Sequence, residues 1–428
     1  MSTSTTPTSN VEPGGAAPAG FEGDRTDDSL GGVVRGYLNR IRGGDLGALP
    51  AVLGIVALTL LFYALRPNTF LTPLNLTNLL VQAAPITLLA MGLVFVLLLG
   101  DIDLSAGVVS GVCAAVCAQL LADAGSPWYV AVLGALVTGA VIGLFTGTVV
   151  SLIGIPSFVV TLALFLGFQG VTLRLIGQGG TVPIRDETVR AITNSNLPVG
   201  LGWALTAVAI VLYALLQLNR WRLANARGLS NQPLVVVVAR IVVIGAVLVG
   251  ITAVLSVDRA LSAAVDLKGI PYAVPLVVVL LLALTFLAGR TTFGRHVYAV
   301  GGNTEAARRA GINVTKIRVL VFVLSSSMAA VSGLVAASRL SSVTPGSGGG
   351  NTLLYAVGAA VIGGTSLFGG RGRVRDAVLG GLVVAIIANG LGLLGVDAYL
   401  NFIITGAVLL LAASVDALAR RRAAATGH

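Results

Sequence analysis

The sequence predicts an all-α, polytopic membrane protein of about twelve transmembrane helices, given that one helix needs roughly 17–25 apolar residues to cross about 30 Å of hydrocarbon. Three observations predict it. The first is composition. Of 428 residues, 56% are hydrophobic and 10% charged, and the mean hydropathy is +0.94. A water-soluble core cannot bury that much apolar surface, so lipid is the solvent for most of the chain. The second is a series of apolar runs, with cores at Leu49–Leu65, Leu80–Leu99, Ser105–Leu121, Tyr129–Leu152, Ser157–Leu173, Val199–Leu218, Ile241–Ser256, Val274–Leu287, Val319–Ala337, Leu353–Leu367, Val378–Leu394 and Phe402–Leu418. The third is charge. With the N-terminus inside, 20 of the 27 basic residues fall on inward segments and 7 (Arg66, Arg174, Arg185, Arg190, Arg259, Lys268 and Arg339) on outward ones. That asymmetry is the positive-inside bias, and it places both termini in the cytoplasm. It also accounts for the net charge of +10 without any nucleic-acid partner.

The elements divide into unequal parts. Residues 1–45 are rich in Ser, Thr, Pro, Gly and acids, with few large apolar side chains; such a segment cannot offset its ordering entropy and reads as a disordered cytoplasmic tail. It lacks the basic start and apolar core of a signal peptide, so the first apolar run is expected to serve as the insertion signal. Residues 46–420 form the transmembrane domain, and 421–428 a short cytoplasmic tail. Within the fourth run Gly139, Gly143 and Gly147 repeat the G-x-x-x-G spacing, which predicts close helix packing.

Several chemistries are excluded or unsupported. A phosphate-cradling loop needs Gly-Lys followed by Ser or Thr, whereas the two lysines stand in Leu-Lys268-Gly and Thr-Lys316-Ile. The chain therefore does not hydrolyse ATP by that route. Cys113 and Cys117 lie one helical turn apart with no His or acid beside them, and His296 and His428 stand far from any ligand cluster. Metal and cofactor chemistry thus find no support on this chain.

Acids in or beside hydrocarbon are costly and usually face a cavity or a partner. Asp101 and Asp103, in GDIDLS between the second and third runs, admit two readings. Either they line a broken or re-entrant segment near a translocation path, or Asp103, assisted by Ser105, simply caps the third helix. The polar residues Gln82, Gln119, Thr161, Gln169, Asn389 and Asn401 likewise either offer hydrogen bonds to a neutral polyol or hold helices together.

The stretch 289–316 is the one charged, helix-forming insert among the apolar runs. In GGNTEAARRAGINVTKI, Asn303 or Thr304 can cap a short helix and Glu305 suits its positive end. Ala306, Ala307 and Ala310 favour helix, and Gly311 suits its termination. The expected product is a two-turn helix across the cytoplasmic face, either bound to anionic lipid through Arg308 and Arg309 or docked on a partner.

The motifs favour the partner. AVGGNTEAARRAGI, from Ala299 to Ile312, resembles the coupling-helix region of permease subunits of bacterial monosaccharide ABC importers, the ribose, xylose and galactose group. LLLGDIDLSAG resembles that family's Gly-x-Ile-Asp-Leu-Ser element, PSFVVTLALFLGFQGVTL its Pro-x-Phe-x-x-Thr-Leu element, and AVGAAVIGGTSLFGGRG its late glycine-rich signature. The long outward loop GQGGTVPIRDETVRAI and the extra pair of spans joined by Arg220 to Arg240 are similar to the xylose branch.

The resemblance implies a non-catalytic membrane subunit of the bacterial plasma membrane. Its partners would be an ATP-binding subunit, an extracytoplasmic sugar-binding protein and a second copy of the permease, with ATP held by the partner. It implies coupling through Asn303, Glu305, Ala306, Ala307, Arg308 and Gly311. Path candidates are Asp101, Asp103, Ser105, Thr161, Gln169 and Asn389. D-xylose is the first substrate expected; another sugar, a nucleoside or a branched-chain amino acid is the alternative. An ion-coupled carrier would place paired ionisable groups in mid-span, whereas these acids cluster at helix ends. A membrane enzyme would need a second element to pair with Asp186 and Glu187.

Overall fold

The computed structural model describes residues 49–414 apart from 123, 228–232, 261–266, 398, 401, 408–409 and 411–413. The two expected tails, 1–45 and 421–428, and Asn401 lie outside the described residues.

The first half of the chain builds α1 (Leu49–Leu65), α2 (Pro73–Leu98), α3 (Ala106–Ala122), α4 (Trp128–Thr148) with a π turn at Val149–Ile153, and α5 (Ser157–Ile176). A loop follows, with β1 (Val182–Pro183), α6 (Glu187–Asn194) and β2 (Asn196–Leu197). Next come the hairpin α7 (Val199–Ala226) and α8 (Leu234–Ser256), then β3 (Ile270–Pro271) and α9 (Ala273–Arg290). The charged insert forms α10 (Thr292–Gly302) and α11 (Thr304–Arg309), and the remainder α12 (Val314–Leu340), β4 (Ser342–Val343), α13 (Thr352–Gly363) and α14 (Val374–Leu394). Among the described residues eight helices are long and apolar enough to cross a membrane, and α1, α3 and α13 are shorter apolar helices. Residues 402–407 are helical within the last apolar run. The chain is an all-α polytopic membrane protein.

α2 is the central post, its side chains buried almost continuously from Ala83 to Leu98. It starts where Pro73 follows Thr72, whose hydroxyl accepts the Asn75 N–H at 3.3 Å, an ordinary N-cap with Pro in the first turn. Inside the helix Pro85 is accommodated by α12, whose Ser332 Oγ donates to the Pro85 carbonyl at 2.7 Å. The expected glycine face is real: a Cβ on Gly139, Gly143 or Gly147 of α4 would stand 2.5–2.8 Å from backbone atoms of Ser326, Phe322 and Val319 of α12. The two backbones approach closely because those positions lack side chains. α12 packs on α4, α2 and α3, while α14 packs on α13 and α2. The hairpin α7–α8 packs chiefly on itself, with the Thr206 and Thr252 hydroxyls 2.6 Å apart.

Two helices do not behave as full spans. α12 meets Asp101 at Arg318 but meets Ser110 at Gly333, a rise of roughly 20 Å along the helix axis at 1.5 Å per residue. The non-helical segment Gly100–Ser105 therefore climbs into the bundle before α3 begins. From the other side, the loop after β4 descends until Gly348 and Leu353 abut Gly107. α13, only 12 residues long and hence about 18 Å, starts there and is helical to Gly363, not to Leu367 as its apolar run predicts. The N-terminal turns of α3 and α13 thus meet inside the bundle, with non-helical backbone buried by protein as a membrane requires.

Loops of the bundle are tied down by short antiparallel pairings, Val182 with Val343 and Asn196 with Pro271. Asp186 caps α6, accepting the Val189 N–H at 2.9 Å. Asn194 donates to the Ser338 carbonyl on α12 at 2.9 Å.

Candidate coupling surface and membrane path

The charged insert folds as a staple across one end of the bundle. Thr291 caps α10, its hydroxyl accepting the Gly294 N–H at 3.2 Å. Asn303, rather than Thr304, caps α11 by accepting the Ala306 N–H at 2.9 Å. Gly311 has φ +84°, the left-handed conformation that ends helices and that glycine adopts at no steric cost. Asn313 then caps α12 through the Lys316 N–H at 2.9 Å.

On α11 the single buried side chain is Ala307. Glu305 lies 3.5 Å from Arg308 and 3.4 Å from Arg309, all three exposed. Exposed pairs of this kind contribute only about 0–1 kcal/mol, so they do little to hold α11 in place. Beneath the staple a pocket of about 500 Å³ opens between Phe293, His296, Gly311, Asn313 and Lys316.

Behind α11 the insert touches the bundle backbone to backbone. A Cβ on Gly301 would collide with the Leu98 carbonyl and stand 3.0 Å from the Gly370 nitrogen, and the Gly370 N–H donates to the Leu98 carbonyl at 2.9 Å. Tyr298 donates to the Gly372 carbonyl at 2.7 Å. Burial raises the Tyr298 hydroxyl above its ordinary range. The late glycine-rich signature and the GDIDLS segment therefore meet under the insert.

Four of the path candidates gather around that segment. Asp101 Oδ2 stands 3.0 Å from Arg318 Nε, an ion pair by distance in which neither buried atom makes a hydrogen bond. Asp103, fully enclosed, uses Oδ1 to accept the Ser105 N–H at 2.9 Å and the Ser105 hydroxyl at 2.7 Å, while its buried Oδ2 has no hydrogen-bond partner. From α5, the Ser157 hydroxyl accepts the Ile102 N–H at 3.1 Å, and the Thr161 hydroxyl accepts the Leu104 N–H at 3.0 Å. Thr161 in turn donates to the Ser157 carbonyl at 2.9 Å. Two amides that a helix would have satisfied are satisfied by side chains instead.

The other two candidates lie elsewhere. Asn389 on α14 exchanges two hydrogen bonds with Asn75 on α2, at 2.9 and 3.0 Å, so its amide is occupied in joining helices. Gln169 is exposed on the outer face of α5. Sequence reasoning missed Arg318, Ser157 and Asn75. Arg318 entered only as one inward basic charge among many, and no local pattern marks Ser157 or Asn75 as partners of distant backbone or amide groups.

The structure is thus a bundle of apolar helices with buried non-helical segments and a charged staple at one end. The model of the family described as branched-chain amino acid transport system / permease component matches residues 75–413, and the chain belongs to that family. It is 35% identical over 387 residues to the xylose transport system permease protein of Escherichia coli (strain K12), covering 90% of this chain and 96% of that protein. It is 32% identical over 379 residues to the xylose transport system permease protein of Haemophilus influenzae, covering 88% and 98%. To the ribose import permease protein of Escherichia coli (strain K12) it is 31% identical over 366 residues, covering 86% and 92%. No solved structure matches. The chain is accordingly a non-catalytic, multi-pass permease component of a transport system in the bacterial inner membrane.

Proposed function

We propose that this chain is the permease subunit of an importer for D-xylose. The observation that carries the substrate is the near full-length similarity to two xylose system permeases, 35% and 32% identical and 96% and 98% covered. In this reading residues 46–420 cross the membrane about twelve times, the tails 1–45 and 421–428 are cytoplasmic, and 289–316 is the coupling loop. Asn303, Glu305, Ala306, Ala307, Arg308 and Gly311 form the element that docks on the ATP-binding subunit. The exposed charged face of α11 over a buried Ala307 supports that role.

An extracytoplasmic binding protein delivers the sugar, two ATP-binding subunits supply the energy, and a second copy of this chain completes the path. No cofactor is held on this chain; ATP is the partner's. Among the path candidates Gln169 alone offers an exposed amide in mid-span, which in hydrocarbon demands water, substrate or another chain. Asp101, Asp103, Ser105, Thr161 and Asn389 hold the walls.

The test is uptake of labelled xylose by cells with and without this chain, with ribose, glucose, arabinose, galactose and leucine as unlabelled competitors. Loss of uptake on deletion, blocked by xylose alone, is the expected result. Unchanged xylose uptake overturns the substrate. Competition by leucine would favour the branched-chain amino acid that the family description names.

A further inference from the structure

We propose that the Asp101–Arg318 ion pair is the link through which the docking staple moves α5. The proposal rests on the docking role given above to Asn303–Gly311, and it adds the positioning residues that carry the motion inward.

Arg318 stands on the first turns of α12, the helix that the staple hands over to after Gly311 and the Asn313 cap. A displacement of α11 thus reaches Arg318 through a short connection. Asp101 opens the non-helical segment, and its side chain is buried to 10% exposure against 29% for Arg318. From Asp101 the segment is fastened to α5 by the Ser157 and Thr161 hydroxyls. α5 itself packs mainly on α3, the helix this segment begins. Pulling on Asp101 therefore moves the foot of α5 and the start of α3 together. Gln169 lies three turns above that foot.

The pair is poorly explained as a mere stabiliser. Burying the Asp101 carboxylate costs desolvation that attraction to a partly exposed Arg318 does not readily exceed, and apolar replacements of such pairs are often as stable or more so. Its position joins the two things a coupled transporter must join, a docking loop and a mobile wall.

The experiment uses the full complex of permease, ATP-binding subunit and binding protein in proteoliposomes, reading sugar uptake and ATP hydrolysis in the same preparation. The key variant is the neutral double substitution Asp101→Asn with Arg318→Gln, which leaves no uncompensated buried charge even if either single variant fails to insert. It is expected to insert, to retain the ATP-binding subunit and to hydrolyse ATP, while sugar moved per ATP falls within the roughly 5- to 150-fold range of site-to-site coupling. Arg318→Lys, which keeps the charge, retains most of the uptake. A double variant that transports like the unmodified protein overturns the link and leaves the pair a structural one. Equal loss of uptake, hydrolysis and assembly in the double variant overturns it too. Glu305→Lys is the control for the underlying reading. If it is uncoupled while the double variant transports, only the link fails; if it also transports normally, the docking role fails with it.

Discussion

α2 and the hairpin α7–α8 are similarly apolar, yet protein buries 78% of the α2 window and only 6% of each hairpin helix. Hydropathy separates membrane from water, because lipid and protein interior are alike to an apolar side chain. It does not separate the centre of a bundle from its rim. The difference lies in the small and polar residues. α2 carries Asn75, Thr77, Gln82, Pro85, Thr87 and Gly92, and its partner α12 carries Ser325, Ser326, Ser332 and Gly333. These permit close approach and hydrogen bonds between helices, the forces left once lipid has removed the hydrophobic one. α7 and α8 offer chiefly Val, Leu, Ile and Ala to their surroundings.

The comparison can be broken most severely at the glycine seam. A Cβ on Gly143 would meet the Phe322 carbonyl oxygen at 2.5 Å and the Val323 Cα at 2.6 Å, backbone atoms that cannot turn aside. Gly143→Val is expected to abolish folded permease, exceeding the usual overpacking cost of about 1–3 kcal/mol, as read from the yield of monodisperse protein in detergent. Recovery of normal yield would show that α4 and α12 can part without unfolding.

Glu305→Lys tests a region that neither burial nor lipid contact singles out. It reverses charge at the positive end of α11 and removes both arginine contacts. Uptake is expected to fall by roughly 5- to 150-fold at unchanged membrane abundance and thermal midpoint. Normal uptake at normal expression would remove the coupling role.

A smaller effect is expected at the amide pair. Asn389→Leu leaves the Asn75 Oδ1 without its donor while the Asn75 Nδ2 keeps the Phe70 carbonyl, costing about 1–3 kcal/mol, and Asn75→Leu with Asn389→Leu recovers part of that loss. Additive losses in thermal midpoints would contradict the pairing.

At the rim, Thr252→Val keeps shape and removes one hydroxyl contact, so about 0.6 kcal/mol of stability and no transport should be lost. A large uptake defect there would give the hairpin a role that its sparse packing does not foretell.

Much of the molecule is legible without its structure, and the readable part is local. Apolar runs located the helices because spanning length is a property of consecutive residues. The G-x-x-x-G face of α4 and the terminator of α11, Gly311, followed from spacing and backbone preference alone, which also narrowed the cap to Asn303 or Thr304. The site was read less completely. GDIDLS stood out as polar residues between apolar runs, but a single acid cannot announce which charge will meet it.

By itself, then, the sequence determined the solvent of the chain, its helical class, its charged staple and its family, since each depends on composition or short-range order. Only the tertiary structure decided that α3 and α13 start inside the bundle, that Ser157 and Thr161 satisfy the backbone of a buried non-helical segment, and that Arg318 lies against Asp101. Those facts depend on which helices neighbour one another. In a membrane that choice is made by packing and hydrogen bonding between residues far apart in the chain, not by the hydropathy that every span shares.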